Sequence, residues 1–229
     1  MSVACESVVG MQISARFNGP PASGNGGWSA GAFAVAALVG PGAEVTLRVP
    51  PPLETPLTVA DGKVMTPDGT LVAEVGPAPD AGPGVPPATL AEARAAAASY
   101  PGFADHPFPT CFVCGPERAE GDGLRIFPGR LADGRTAAPW LVPPGVDVET
   151  VWAALDCPGG WAVLHPGQVY VLGRIAATVA ALPAPGSTCV VVGAATSVQG
   201  RKALVDSSVW AQDGTRLATA RATWIAVNR

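Results

Sequence analysis

Histidine is nearly absent from this 229-residue chain: His106 and His165 are the only two. So small a supply gives poor support to a Ser-His-Asp hydrolase, which needs an imidazole beside its nucleophile. Charge is scarce too, at 14% of residues with a formal net charge of -4. No basic cluster exceeds the pair Arg201-Lys202, so neither nucleic acid nor an anionic membrane surface is expected as the principal partner. The opening residues Met1 to Glu6 lack a basic n-region and a long apolar h-region, and no secretory signal is expected there. Of the longest uncharged runs, residues 28–43 are short for a membrane span, and residues 175–200 are broken by Pro183, Pro185 and Gly186. The expectation is a cytoplasmic protein. Its five cysteines, an odd number with no extracellular context, read as reduced thiols rather than a disulfide framework.

What the chain does have is apolar mass. A hydrophobic fraction of 48% is ample for a core, in one large domain or two small ones. Residues 43–49 alternate as a half-buried strand, and 57–60, 63–65 and 70–75 read as a meander turning at Asp61-Gly62 and Asp68-Gly69. Residues 76–87 are rich in proline and glycine, and Thr89 with Glu92 has capping-box spacing ahead of an alanine-rich helix ending near Ser99. Beyond this boundary the pattern predicts a strand over 123–131, a helix over 147–164, and strands over 168–181, 187–198, 202–211 and 215–227. The second half thus repeats the helix-then-strands order of the first, and Asp213-Gly214-Thr215 answers Asp68-Gly69-Thr70. The expected division is residues 1–90, a linker over 91–110, and residues 111–229.

Two segments carry the chemistry. Val151 to Trp161 places Asp156 inside an apolar, predicted-helical run; a carboxylate there must be solvated, paired or used, since helix-interior Asp is disfavoured without a role. Ser23 to Ala34 opens another apolar helix with Asn25-Gly26-Gly27-Trp28 and no acid. Cys111 and Cys114 have the spacing of half a zinc site, with His106 just upstream. A closed structural site needs four ligands, and the remaining cysteines show no second close pair, so no bound metal is expected. No cofactor is expected either.

Cys111-Phe112-Val113-Cys114-Gly115-Pro116, followed by Gly123-Leu124, resembles the opening of hotdog-fold thioesterases of the phenylacetyl-CoA thioesterase type. In that family the long helix commonly begins His-Gly-Gly and carries Asp about two and a half turns on. Asn25-Gly26-Gly27 is similar to the glycine end of that motif with Asn for His, while the acid's place falls near Ala34. In the second half the acid is present as Asp156, and Asp147 lies near the place of the missing glycines. Leu155-Asp156 and Thr196 to Ala203 also resemble the C-terminal hotdog of thioesterase II proteins; there Thr196 matches a water-orienting hydroxyl, and a Gln expected on the last strand falls near Ala222.

The resemblance implies an α+β fold, a double hotdog with two antiparallel sheets each wrapped around a long central helix. It implies an acyl-CoA or acyl-carrier thioester as substrate, hydrolysed at one composite site, in a chain able to form homo-oligomers. Asp156 would be the catalytic acid-base or nucleophile and Thr196 would place water, while Asn25, Gly26, Gly27 and Trp28 would bind the thioester, their backbone N–H groups facing its oxygen. A non-catalytic module binding acyl chains or acyl thioesters is the alternative, supported by Asn25 and Ala222 where the family has polar partners. A dehydratase or hydratase ranks third, since that chemistry pairs His with its carboxylate and no His is expected near Asp156.

Overall fold

The computed structural model describes residues 8–78, 82–165 and 167–227; Cys5 and the opening segment Met1 to Glu6 lie outside them. In chain order, the elements that build the sheet and the paired helices are β1 (Val9–Met11), α1 (Gly26–Ala36), β2 (Gly42–Leu47), β3 (Leu57–Ala60), β4 (Lys63–Met65) and β5 (Leu71–Pro77). After α2 (Leu90–Ala98) come β6 (Gly129–Arg130), β7 (Thr136–Leu141), α3 (Val148–Trp161), β8 (Val169–Val179), β9 (Thr188–Gln199), β10 (Lys202–Trp210) and β11 (Arg216–Val227).

All eleven strands among the described residues form one sheet, in the order β1-β3-β4-β5-β2-β8-β11-β10-β9-β7-β6. This corrects the expectation of two sheets. β2 and β8 pair antiparallel from Gly42↔Thr178 to Thr46↔Arg174, so the edge that each half would otherwise leave open is satisfied by the other. Arg174 reinforces the seam, with Nε donating to Thr46 Oγ1 at 2.9 Å and Nη1 lying 3.5 Å from Glu44 Oε1. On either side the topology repeats: a strand, a helix and four strands are arranged as β1-β3-β4-β5-β2 and again as β7-β9-β10-β11-β8.

The predicted strand over 123–131 shrinks to β6, because Gly123 and Arg125 take positive φ of 77° and 51°, incompatible with an extended run. β7, which the sequence reading passed over, does the pairing with β9 instead. Its buried positions do not alternate and Pro139 interrupts it, so it carries no period-2 signal.

Both α1 and α3 pack on the sheet and on each other. Their packing on each other and on the sheet explains three glycines. A Cβ on Gly27 would lie 2.5 Å from Asp156 Cβ and 2.7 Å from the Trp152 carbonyl oxygen, and one on Gly31 would lie 2.8 Å from Trp152 Cβ. Gly27 and Gly31, one turn apart on α1, form the slot that receives Trp152 and Asp156, one turn apart on α3. Gly160 likewise receives the Trp224 ring. α2, opened by the capping box of Thr89 and Glu92, packs on β6, β7 and β9. Among the described residues no helix is long and apolar enough to cross a membrane.

Candidate active site

Asn25 caps α1, its side-chain oxygen accepting from the Trp28 N–H at 2.9 Å. That leaves the amide group of the same side chain facing α3, where Nδ2 donates to Asp156 Oδ2 at 3.1 Å. The Gly27 N–H donates to the same oxygen at 3.0 Å. One carboxylate oxygen is therefore held by the N-terminus of the opposite helix, where unsatisfied N–H groups and the helix dipole favour negative charge. The other oxygen, Oδ1, is buried and has no hydrogen-bond partner among the described residues. Asp156 as a whole is 3% exposed.

Burial raises the Asp156 pKa to about 7; the Gly27 N–H opposes that rise, negative charge on Cys111 adds to it, and the Asn25 amide opposes it. The carboxylate lines an apolar cavity of about 280 Å³ that also borders Gly26, Leu172, His106, the three thiols of Cys111, Cys114 and Cys157, and Trp224. The Trp224 indole N–H is buried without a hydrogen-bond partner among the described residues. A cavity with this lining is suited to a mostly apolar ligand carrying a few polar atoms.

The expected site residues divide. Asp156, Asn25, Gly26 and Gly27 are brought together, but the donors are allotted differently from the sequence reading. The N–H groups of Gly27 and Trp28 are already taken by Asp156 and Asn25, whereas Gly26, at the first helical position, has no intrahelical acceptor and borders the cavity. Trp28 stands apart: its ring stacks on Phe17 at 3.8 Å between centroids, and it is not part of the cavity wall.

Thr196 is also elsewhere. It is exposed on β9, the extra residue of a bulge where Leu204 faces Ser197 and Val205 faces Ala195. Its hydroxyl donates to the Leu204 carbonyl at 3.0 Å. Thr196→Ala is accordingly expected to leave turnover unchanged, and a large loss of kcat would show that the hydroxyl reaches the site after all.

Two features escaped the sequence reading. Gly27-Trp28-Ser29-Ala30-Gly31 has the Gly-x-Ser-x-Gly spacing of a nucleophile elbow. Here its serine lies in the first turns of α1, fully buried with an unpartnered hydroxyl and outside the cavity wall, and its glycines serve the helix crossing. The second is the placement of His106, read in sequence only as a neighbour of Cys111 and Cys114: it shares the cavity with Asp156, which corrects the expectation that no His lies near that acid. Its Nε2 is 3.3 Å from Cys114 Sγ.

No protein-family model matches the chain, and no curated protein does. Solved structures match over nearly the whole length. A protein of unknown function with the hotdog fold from Alicyclobacillus acidocaldarius aligns at a TM-score of 0.64 and 17% identity, covering 98% of this chain and 96% of its own. The chain has the hotdog fold. A candidate thioesterase of Novosphingobium aromaticivorans aligns at 0.66 and 15% identity over 96% and 95% of the two chains. A candidate thioesterase II of Thermobifida fusca aligns at 0.62 and 12% over 99% and 94%. Each of these alignments covers nearly the whole of both chains.

Proposed function

We propose that this hotdog protein hydrolyses acyl thioesters, with acyl-CoA the first substrate class to test, at a composite site between two tandem hotdog halves. The observation that carries the reading is the free, buried Oδ1 of Asp156 in an apolar cavity, beside a carboxylate oxygen already anchored by α1. An anchored acid with one open oxygen can take a proton from water or attack the thioester carbon directly. Gly26 N–H is the donor left for the developing oxyanion.

On the water route, the water oxygen bonds to the carbonyl carbon and its proton passes to Asp156. Collapse of the tetrahedral intermediate breaks the carbon–sulfur bond, and the proton goes to the departing thiolate. Thiol and carboxylic acid leave.

The halves correspond to residues 1–90 and 111–229 with a linker over 91–110; the packing of α2 against β6, β7 and β9 associates that helix with the second half. In this arrangement the first half supplies the helix terminus and the second supplies the acid. Half-exposed Arg48 borders the cavity and pairs with Glu74, so a phosphate-bearing carrier reaching it would compete with that carboxylate.

The test is thiol release from short, medium, long and aromatic acyl-CoAs. Turnover of at least one class that scales with enzyme is expected. Saturable binding with no release from any of them would move the protein to the acyl-binding reading.

A further inference from the structure

The thiols of Cys111, Cys114 and Cys157 converge so closely that their sulfurs all lie within 4.8 Å of one another. Cys111 and Cys114 come from the loop after α2, and Cys157 comes from α3, next to Asp156. The loop also brings His106, whose Nε2 is 3.3 Å from Cys114 Sγ. We propose that these four side chains form a Cys3His site for zinc. In a tetrahedron with zinc–sulfur bonds of about 2.3 Å, the sulfurs stand about 3.8 Å apart, inside the 4.8 Å within which these three already lie.

Cys111 to Cys114 is a tight turn, and Cys111 Sγ accepts from Asn25 Nδ2 at 3.7 Å. Gly115 closes the turn with its N–H on the Cys111 carbonyl at 2.9 Å, where any Cβ would meet the Cys111 nitrogen and the Pro109 oxygen at 2.5 Å. Such a turn presents two sulfurs side by side. All three cysteines are buried yet border the cavity, which supplies an entry path.

His106 is the weakest of the four ligands. Phe108 N–H donates to its Nδ1 at 2.9 Å, which leaves the neutral ring's proton on Nε2. Metal at Nε2 moves that proton to Nδ1, so the ring must turn away from the Phe108 amide. The thiolates therefore carry most of the affinity. With four protein ligands the site is closed and structural: it ties the Cys111–Cys114 loop to the helix that carries Asp156, and Cys111 Sγ in turn lies 3.7 Å from Asn25 Nδ2. This proposal replaces the expectation of no metal, which rested on the lack of a second close pair; the fold supplies the missing ligands singly, from two different segments.

The test is elemental analysis of the full-length chain, purified reduced and without a metal-affinity tag, followed by chelator stripping and titration with ZnCl2 and CoCl2. Expected are about one zinc per chain, a higher melting temperature with zinc than without, and cobalt absorption typical of tetrahedral thiolate ligation. Cys157→Ser should lose the stoichiometric metal, while His106→Ala should keep cobalt with altered bands and at least about tenfold weaker affinity, the lower end of the loss expected when a group supporting a metal site is changed. A reduced wild-type chain that takes up neither zinc nor cobalt at equimolar concentration overturns the proposal whatever the variants do. So does a Cys157→Ser protein, folded by circular dichroism, with wild-type metal content and spectrum.

Discussion

Asp156→Asn is expected to lower thioester hydrolysis by about 100- to 10,000-fold, the range associated with loss of a general base, while the protein remains as stable as the wild type or more so. Structurally the substitution is mild, because an asparagine oxygen can still accept from Gly27 N–H and Asn25 Nδ2, which now hold Asp156 Oδ2. It also removes a buried group whose ionised form is disfavoured by desolvation. Chemically it is severe, since an amide neither takes up a proton from water nor attacks a thioester. Thiol-release kinetics and a melting curve on the same preparation separate the two effects. An unchanged rate in a stable Asp156→Asn protein would remove this residue from the mechanism.

Gly27→Ala is expected to have the opposite profile, with stability failing first. The added methyl would sit 2.5 Å from Asp156 Cβ and 2.7 Å from the Trp152 carbonyl oxygen, neither of which can swing aside as the end of a flexible side chain would. Overpacking costs about 1–3 kcal/mol, and the rigidity of both neighbours places this substitution at the upper end. A loss of about 3 kcal/mol lowers the melting temperature of a chain this size by about 6–12 °C. Gly76→Ala is the control, because a Cβ there meets nothing within 4 Å. If Gly27→Ala melts with the control, the helices have room to part and the slot is not tight.

Local sequence chemistry announced much of this architecture. Thr89 and Glu92 form the expected capping box, the meander strands fall where their alternation and Asp-Gly turns place them, and α3 starts at Val148, capped by Asp147. Asp156 stood out because an acid in an apolar helix demands an explanation, and the explanation was a partner at the start of the other helix. What the sequence concealed is non-local. The pairing of β2 with β8 leaves no mark on either strand beyond ordinary alternation, so the single sheet was not legible. Thr196 had the right residue type in a plausible strand, yet the bulge opposite Leu204 and Val205 carries it away from the cavity. Cys157 stands alone in sequence, and only the packing of α3 beside the loop that carries His106, Cys111 and Cys114 turns separate residues into a cluster.

The hydrogen bond from Gly27 to Asp156 joins residues 129 apart along the chain, and the seam strands are similarly remote. Contacts of such long range require costly loop closure and form slowly compared with local hairpins. An N-terminal fragment can complete its meander during synthesis, but the acid that its helix is shaped to hold has yet to be made. The proposed site therefore assembles late in folding, and the appearance of its proposed activity during refolding would time the union of the two topological repeats rather than the formation of secondary structure.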